Sequence, residues 1–445
     1  MPSRQDELHS YQYSVQRVVA ALVSHDPDPH RSPLRRAGAT ALVGLLVAAL
    51  AVGGFAAYGL FTGHTMAKAT DATSVLVEKK TGARYVYLPA DGKLHPVLNY
   101  TSGLLLATGN PTRLKTVPAD ELAKVPLGEP LGIPDAPDAL PAPGDLLGGA
   151  WSVCTDTSGG PPRSTLLIGA TPAGGTAPAS GLLVRDTAGR THLVHGGKRF
   201  LIPAARVDAV QRALGWYGTR PWQVSAAWAD AVPAGPDLDA PTIPNFRRPS
   251  AIDGRRVGQV LTADGKTFAL VLSDGIAPLT VMQARLLAAV YNLSSPITVG
   301  AEFLELPDSR VGLGLGQTGE GLPASVPTLG EAPKNACVGS TGDALRVNTT
   351  YPAGSAPGTG ARVDLVHIAR GKGALVEAAA SPDAPAGSGT VGLVTDSGRF
   401  YPLAGRDVPA RLGYANARPV RVPAQFVAYL PAGPALDPVR AGRSS

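Results

Sequence analysis

Read for its apolar positions, the chain opens on a helical period: Leu8, Tyr11, Val15, Val18 and Leu22 recur at intervals of three, four, three and four. That spacing puts all five on one helix face, a heptad-like seam. Ser3 with Asp6 three residues on offers a cap, and Asp26-Pro27-Asp28-Pro29 ends the helix because a residue before proline is pushed out of the α region. A helix of about 20 residues has nothing of its own to pack on. Asp6 and Glu7 oppose adsorption to lipid, so the seam reads as a docking face for a partner, with an interfacial helix lying on lipid as the blander reading.

From Ala37 to Phe61 the pattern becomes uninterrupted: 25 residues carry no charge. As a helix that run would be about 37 Å long, enough to cross a bilayer. A cleaved signal would place a shorter apolar core behind a short basic leader, whereas 36 residues precede this one, so the run reads as an uncleaved anchor. Arg31, Arg35 and Arg36 stand within six residues of its start, and the first Lys or Arg beyond it is Lys68. The positive-inside rule then predicts a cytoplasmic N-terminus, a single pass through the plasma membrane, and an extracytoplasmic region of 384 residues.

Past the span, the alternation of half-buried strands appears in four related stretches, beginning at Val75, Gly181, Gly258 and Val391. Each has an apolar strand, a tight turn at Gly82, Gly189, Gly265 or Gly398, and a second strand. Helical periodicity follows after Arg206 and after Thr280, and two stretches close on matching phrases, Pro233-Ala234-Gly235-Pro236 and Pro431-Ala432-Gly433-Pro434. Extra sequence separates the outer pairs, and each insert holds one of the two cysteines, Cys154 and Cys337. If they pair, the inserts meet in a composite β domain with two repeats on either side, and the closed loop contributes at most about 5 kcal/mol. Two unrelated buried thiols are the other reading. Trp151, three residues before Cys154, would cover a bridge there.

The predicted fold class is therefore α+β: one transmembrane helix, then an elongated exterior of four small α/β repeats around a central β domain. The expected boundaries are 1–36 for the cytoplasmic helix and basic flank, 37–61 for the span and 62–74 for a linker. Repeats occupy 75–126, 181–240, 249–295 and 389–438, the central domain 127–180 and 296–388, and a tail 439–445.

Composition narrows the function classes. Gly 53 and Pro 42 mark a turn-rich protein, while 44% hydrophobic residues exclude disorder throughout. The net charge of +6 is dilute over 445 residues, which argues against a nucleic-acid partner. Gly265-Lys266-Thr267 matches the end of a phosphate loop, but the glycine such a loop needs five residues earlier is Val260. Gly314, Gly316 and Gly319 form a GxGxxG string with no helix to open. His192 and His195 lie three apart in a strand and would point to opposite faces, which argues against a shared metal. No catalytic, cofactor-binding or metal-ligating residue is singled out, and no cofactor is expected.

Taken in order, several phrases closely resemble EccB, a membrane core component of actinobacterial type VII (ESX) secretion systems. They are Gln16-Arg17-Val18-Val19-Ala20-Ala21-Leu22, Asp26-Pro27-Asp28-Pro29 and Ser32-Pro33-Leu34-Arg35-Arg36 before the span. After it come Thr81-Gly82-Ala83-Arg84-Tyr85-Val86-Tyr87, Leu94-His95-Pro96-Val97-Leu98-Asn99-Tyr100, Gly132-Ile133-Pro134-Asp135-Ala136-Pro137-Asp138 and Trp151-Ser152-Val153-Cys154. The chain departs where many relatives have two arginines, here Gln16-Arg17, and where glycine is frequent, here Asp135. The resemblance implies a structural subunit that self-associates and has partners resembling EccC, EccD, EccE and the mycosin protease. Relatives have been labelled ATPases, and the residues here support no such assignment. An ATP-hydrolysing accessory and a peptidoglycan-binding envelope module stand as alternatives.

Overall fold

The computed structural model describes residues 4–24, 33–61, 68–109, 112–310, 321–340, 345–381 and 383–444. Two helices come first, α1 (Arg4–Ser24) and α2 (Pro33–Phe61). Within α2 the window Ala39–Ala56 has a mean hydropathy of 2.2, and none of it is buried inside the protein. A core helix of a soluble domain would be covered by its neighbours. This one is long and apolar enough to cross a membrane and leaves that surface uncovered.

From residue 68 onward the described chain builds five sheets. Unit 1 has β1 (Ser74–Glu78), β2 (Arg84–Leu88), β3 (Lys93–Pro96), α3 (Tyr100–Leu106), β4 (Arg113–Val117) and the single turn α4 (Ala119–Leu122). Three antiparallel strands run as a meander, and after α3 the chain returns so that β4 lies parallel beside β1. The first half of the central sheet follows as β5 (Trp151–Asp156), β6 (Arg163–Ile168) and β7 (Ala173–Thr176). Unit 2 is β8 (Leu182–Asp186), β9 (Thr191–His195), β10 (Lys198–Ile202), α5 (Val207–Ala213), β11 (Trp222–Val224) and α6 (Ala226–Ala231). Unit 3 is β12 (Val260–Thr262), β13 (Phe268–Val271), β14 (Ile276–Leu279), α7 (Val281–Tyr291) and β15 (Ile297–Thr298). The second half of the central sheet is β16 (Asn335–Gly339), β17 (Arg346–Thr350) and β18 (Leu365–His367). Unit 4 is β19 (Ala374–Ala379), β20 (Thr390–Val394), β21 (Phe400–Pro402), α8 (Val408–Arg411), β22 (Val420–Pro423) and α9 (Ala424–Val427), and α10 (Pro438–Ala441) follows.

The four outer sheets share one strand order, with the fourth strand parallel to the first and the meander on its other side. Polar side chains start two of the crossover helices, α3 and α7, where the chain must leave the sheet. Asn99 accepts from the Ser102 amide at α3, and Thr280 and Gln283 close a reciprocal capping box at α7. In unit 2, Ser225 accepts from the Trp228 amide at the start of α6.

Pairing corrects several expected boundaries. Unit 4 begins one strand earlier than 389, because β19 pairs with both β20 and β22. Gly398 consequently lies in the turn between the second and third strands, whereas Gly82, Gly189 and Gly265 join the first and second. The sequence match misled because every hairpin of the meander uses a similar Gly turn followed by an apolar strand. The fourth strand of unit 3 lies beyond residue 295. Residues 127–133 belong with unit 1, since Leu127 and Leu131 pair with Leu94 and Val97. The tail is folded too: Ala441 is fully buried against unit 1, and α10 packs on α3.

The cores give the order in space. Val75, Leu104 and Leu105 of unit 1 share a core with Leu375, Leu393 and Leu412 of unit 4. Val210 and Leu214 of unit 2 share another with Met282 and Leu286 of unit 3, where α5 meets α7. The six-stranded sheet, β18-β6-β5-β16-β17-β7, joins the pairs by one face, which carries Trp151, Val153 and Val338 into a core with Trp228 of unit 2 and Phe426 of unit 4. Units 4 and 2 also touch directly, Tyr429 Oη donating to the Ala227 carbonyl at 2.8 Å, so the units follow one another as 1, 4, 2, 3 with the central sheet packed by one face against 4 and 2.

Candidate functional site

The seam residues lie within α1, and all five are exposed, from Val15 at 43% to Leu22 at 75%. Together they leave an apolar face of the helix open to its surroundings. Arg17 stacks over the Tyr13 ring at 5.7 Å. Of the arginines at the foot of the span, Arg35 and Arg36 fall in α2, and Arg31 lies outside the described residues, as do Asp26-Pro27-Asp28-Pro29 and Gly314, Gly316 and Gly319.

Cys154 and Cys337 form a disulfide, directly opposite each other on the antiparallel strands β5 and β16. They sit on one face with Leu167, and Ala170 and Tyr351 pack beside them. Trp151 does not cover the bridge. Side chains alternate along a strand, so a residue three positions away points to the other face, and Trp151 lies in the opposite core with Val153. Burial and the neighbouring Asp156 raise the Tyr351 phenol to about 12.

The turn glycines Gly82, Gly189, Gly265 and Gly398 all have positive φ, between 70° and 83°. Beneath the turns lies a set of residues that the spacing did not single out. Glu78 accepts from the amides of Lys80 and Thr81, and these bonds, with the Thr81 hydroxyl foremost, hold its carboxyl below the usual range. Asp186 accepts from the Arg190 amide and from its Nε at 2.7 Å. Burial alone would raise Asp186, but those bonds to Arg190 outweigh it and keep the carboxyl low. Thr262 accepts from the Gly265 amide, and Glu377 accepts from Gly387 and Gly389. All four are buried at the ends of first strands or near them. A local signal existed for three, an acid or hydroxyl three or four places before the turn glycine. Glu377 reaches across a longer connection and offers no such spacing.

The same device accounts for Gly265-Lys266-Thr267. Asp264 Oδ1 accepts from the amides of Lys266 and Thr267 at 2.8 and 2.7 Å. A carboxylate thus occupies the amides that a phosphate loop would turn toward its phosphate. His192 is buried, with Nε2 3.4 Å from Asp186 Oδ2 and no partner for Nδ1, while His195 is partly exposed. Burial lowers the His192 pKa more than Asp186 raises it. Among the described residues no three His, Cys, Asp or Glu side chains come together to hold a metal.

Residues 1–444 match the family model described as type VII secretion system ESX-1, transport TM domain B. The chain is 28% identical over 477 residues to the ESX-3 secretion system ATPase EccB3 of Mycolicibacterium smegmatis, covering 97% of this chain and 88% of that protein. It is 35% identical over 249 residues to the ESX-2 secretion system ATPase EccB2 of Mycobacterium tuberculosis, covering 52% of this chain and 49% of the relative. That second match spans about half the length of the ESX-2 protein. Among solved structures, the EccB3 dimer from the ESX-3 core complex aligns with a TM-score of 0.60 at 29% identity, over 83% of this chain and 99% of that one. A chain of an intact ESX-5 inner membrane complex shares the fold, with a TM-score of 0.62 at 22% identity, covering 100% of this chain and 96% of that chain.

Proposed function

The chain belongs to the EccB family of type VII (ESX) secretion membrane components, and from that premise we propose that it is a structural core subunit of an ESX inner-membrane complex. In this reading α2 anchors the protein, α1 docks on the cytoplasmic side, and the disulfide-joined exterior organises the exit side of the export machine. The observation that carries the reading is the match of the family model to residues 1–444 of a chain with one exposed apolar span ahead of paired repeat units. The basic flank of Arg31, Arg35 and Arg36 supports a cytoplasmic N-terminus. The dimer in which an ESX-3 relative was solved supports self-association. Partners resembling EccC, EccD, EccE and the mycosin protease follow from the same reading. The relatives' names include the word ATPase, but Asp264 fills the turn of the one lysine motif that resembles a phosphate loop, so a hydrolytic role gains no support from that stretch.

Deleting residues 1–24 tests the docking role. We expect the shortened protein to insert and fold but to be lost from the membrane complex on native gels, with secretion abolished. Normal assembly and secretion by the deletion would remove α1 from the mechanism.

A further inference from the structure

Unit 3 holds a cavity of about 510 Å³ at the end of its sheet, lined by the Phe246-Arg247 segment, the stretch from Arg256 to Val260 and the loop that follows α7. The backbone around it is unusual. Of the five non-glycine residues with positive φ among those described, Asn245 (57°), Arg247 (65°) and Asn292 (50°) stand at or beside its rim. Asparagine tolerates this region, but a long side chain such as arginine does so at a cost, and such strain gathers where geometry serves a ligand.

The strained turn sets Arg247 over the Phe246 ring, its guanidinium carbon 5.2 Å from the ring centroid. The ring lies tight on Gly258, where an added Cβ would fall 2.4 Å from it. Arg256 Nη1 donates to the Arg247 carbonyl at 3.3 Å, which holds the second guanidinium to the same segment. Among the described residues no acidic side chain lines the cavity and neither arginine makes an ion pair, although the adjacent Arg255 pairs with Glu302. Ser294 and Ser295 add hydroxyls, and Val257, Leu293 and Ile297 supply an apolar wall.

We propose that this cavity binds an oxyanion, a carboxylate or phosphate, carried on a small apolar body. Two uncompensated guanidinium forks present the donors that planar and tetrahedral oxyanions accept. The volume lies in the range of small-molecule sites and far exceeds that of an inorganic ion, so the apolar wall has a partner only if the ligand has an apolar part.

The test uses the full chain in zwitterionic lipid nanodiscs, titrated calorimetrically with phenyl phosphate and with inorganic phosphate. Phenyl phosphate is expected to bind saturably and more tightly than inorganic phosphate, with affinity falling as salt is raised. Arg256→Gln alone, and Arg247→Gln with Arg256→Gln, should each weaken it by at least about tenfold, while Arg248→Gln, exposed beside the cavity, should leave it unchanged. Unaltered thermal unfolding of the single variant separates lost binding from lost fold. No saturable binding at millimolar ligand, or equal binding by Arg256→Gln and the parent, overturns the site; equal affinity for the two phosphates overturns the apolar half of the proposal.

Discussion

Asp186 and His192 form a buried pair at the joint between unit 2 and the central sheet, with Arg190 reaching over Asp186 to Asp230. Both have depressed pKa values in the folded chain, so the unfolded chain binds their protons more readily and stability falls as pH drops. His192 acts first: its contribution is full above the ordinary value of 6.5 and is lost as pH falls below it toward the folded value. Asp186 follows only below 3.8. The groups facing His192 are Asp186, Arg190 and Arg199, and the two cations reinforce the downward shift. Urea unfolding followed by tryptophan fluorescence reads this unit well, because Trp216, Trp222 and Trp228 are all in it. The midpoint should fall between about pH 7 and about pH 5, and His192→Gln should flatten that fall. An equally steep fall in the variant would assign the acid sensitivity elsewhere. At this scale the sequence showed residue types without their surroundings. Asp135, noted as standing where relatives often have glycine, has φ of 61°, a conformation glycine adopts freely and Asp tolerates. The burial of Glu78, Asp186 and Glu377 under turn amides depends on where the next strand lies, which no single residue reveals.

Among the elements, the central sheet carries the strongest constraint. Five residue pairs bring β5 and β16 together from parts of the chain separated by 183 residues, and the disulfide locks one pair. The bond encloses units 2 and 3, so cutting it returns to the unfolded chain the freedom of that whole loop. Cys154→Ser with Cys337→Ser should lower stability by up to about 5 kcal/mol, an upper figure from the loop-closure model. Chemical unfolding with and without reductant checks this: the parent under reductant should approach the double variant, and the variant should not respond. If reductant leaves the parent unchanged, the strand pairing alone holds the sheet. Anchor, strands and main crossover helices were legible because each is a local pattern of apolar positions. The extent of unit 4 was not, because β19 is joined to β20 by a longer connection and the visible Gly hairpin belongs to the next pair of strands. Trp151 shows the same limit: proximity in sequence suggested cover for the bridge, but strand alternation sent it to the other core.

In the whole molecule the connectivity is nested. The chain builds unit 1 and half the central sheet, then units 2 and 3, then completes the sheet and returns in unit 4 to pack on unit 1. Unit 1 is the first unit after α2 in the chain, and its contact with unit 4 is what ties it to the other sheets. That contact is mainly apolar: Leu412 and Tyr414 meet Leu104 and Leu105, with Arg411 Nη1 donating to the Leu105 carbonyl at 3.2 Å and Tyr414 Oη to the Pro141 carbonyl at 2.7 Å. Burying a charge there without a partner costs several kcal/mol, in addition to the roughly 1.5–3 kcal/mol of hydrophobic burial lost with the leucine. Leu412→Asp should therefore part unit 1 from unit 4 while units 2 and 3, held by the α5–α7 core, stay together. Small-angle scattering should show a longer particle, and limited proteolysis should find new cuts between residues 138 and 150, inside the segment leading from unit 1 to β5. Tryptophan fluorescence of unit 2 should be unchanged, since the broken contact lies in the core of units 1 and 4, whereas Trp222 and Trp228 lie in the core shared with the central sheet and Trp216 in that of units 2 and 3. A particle of unaltered length with wild-type proteolysis would mean that the return of unit 4 onto unit 1 is not what holds unit 1 to the other units.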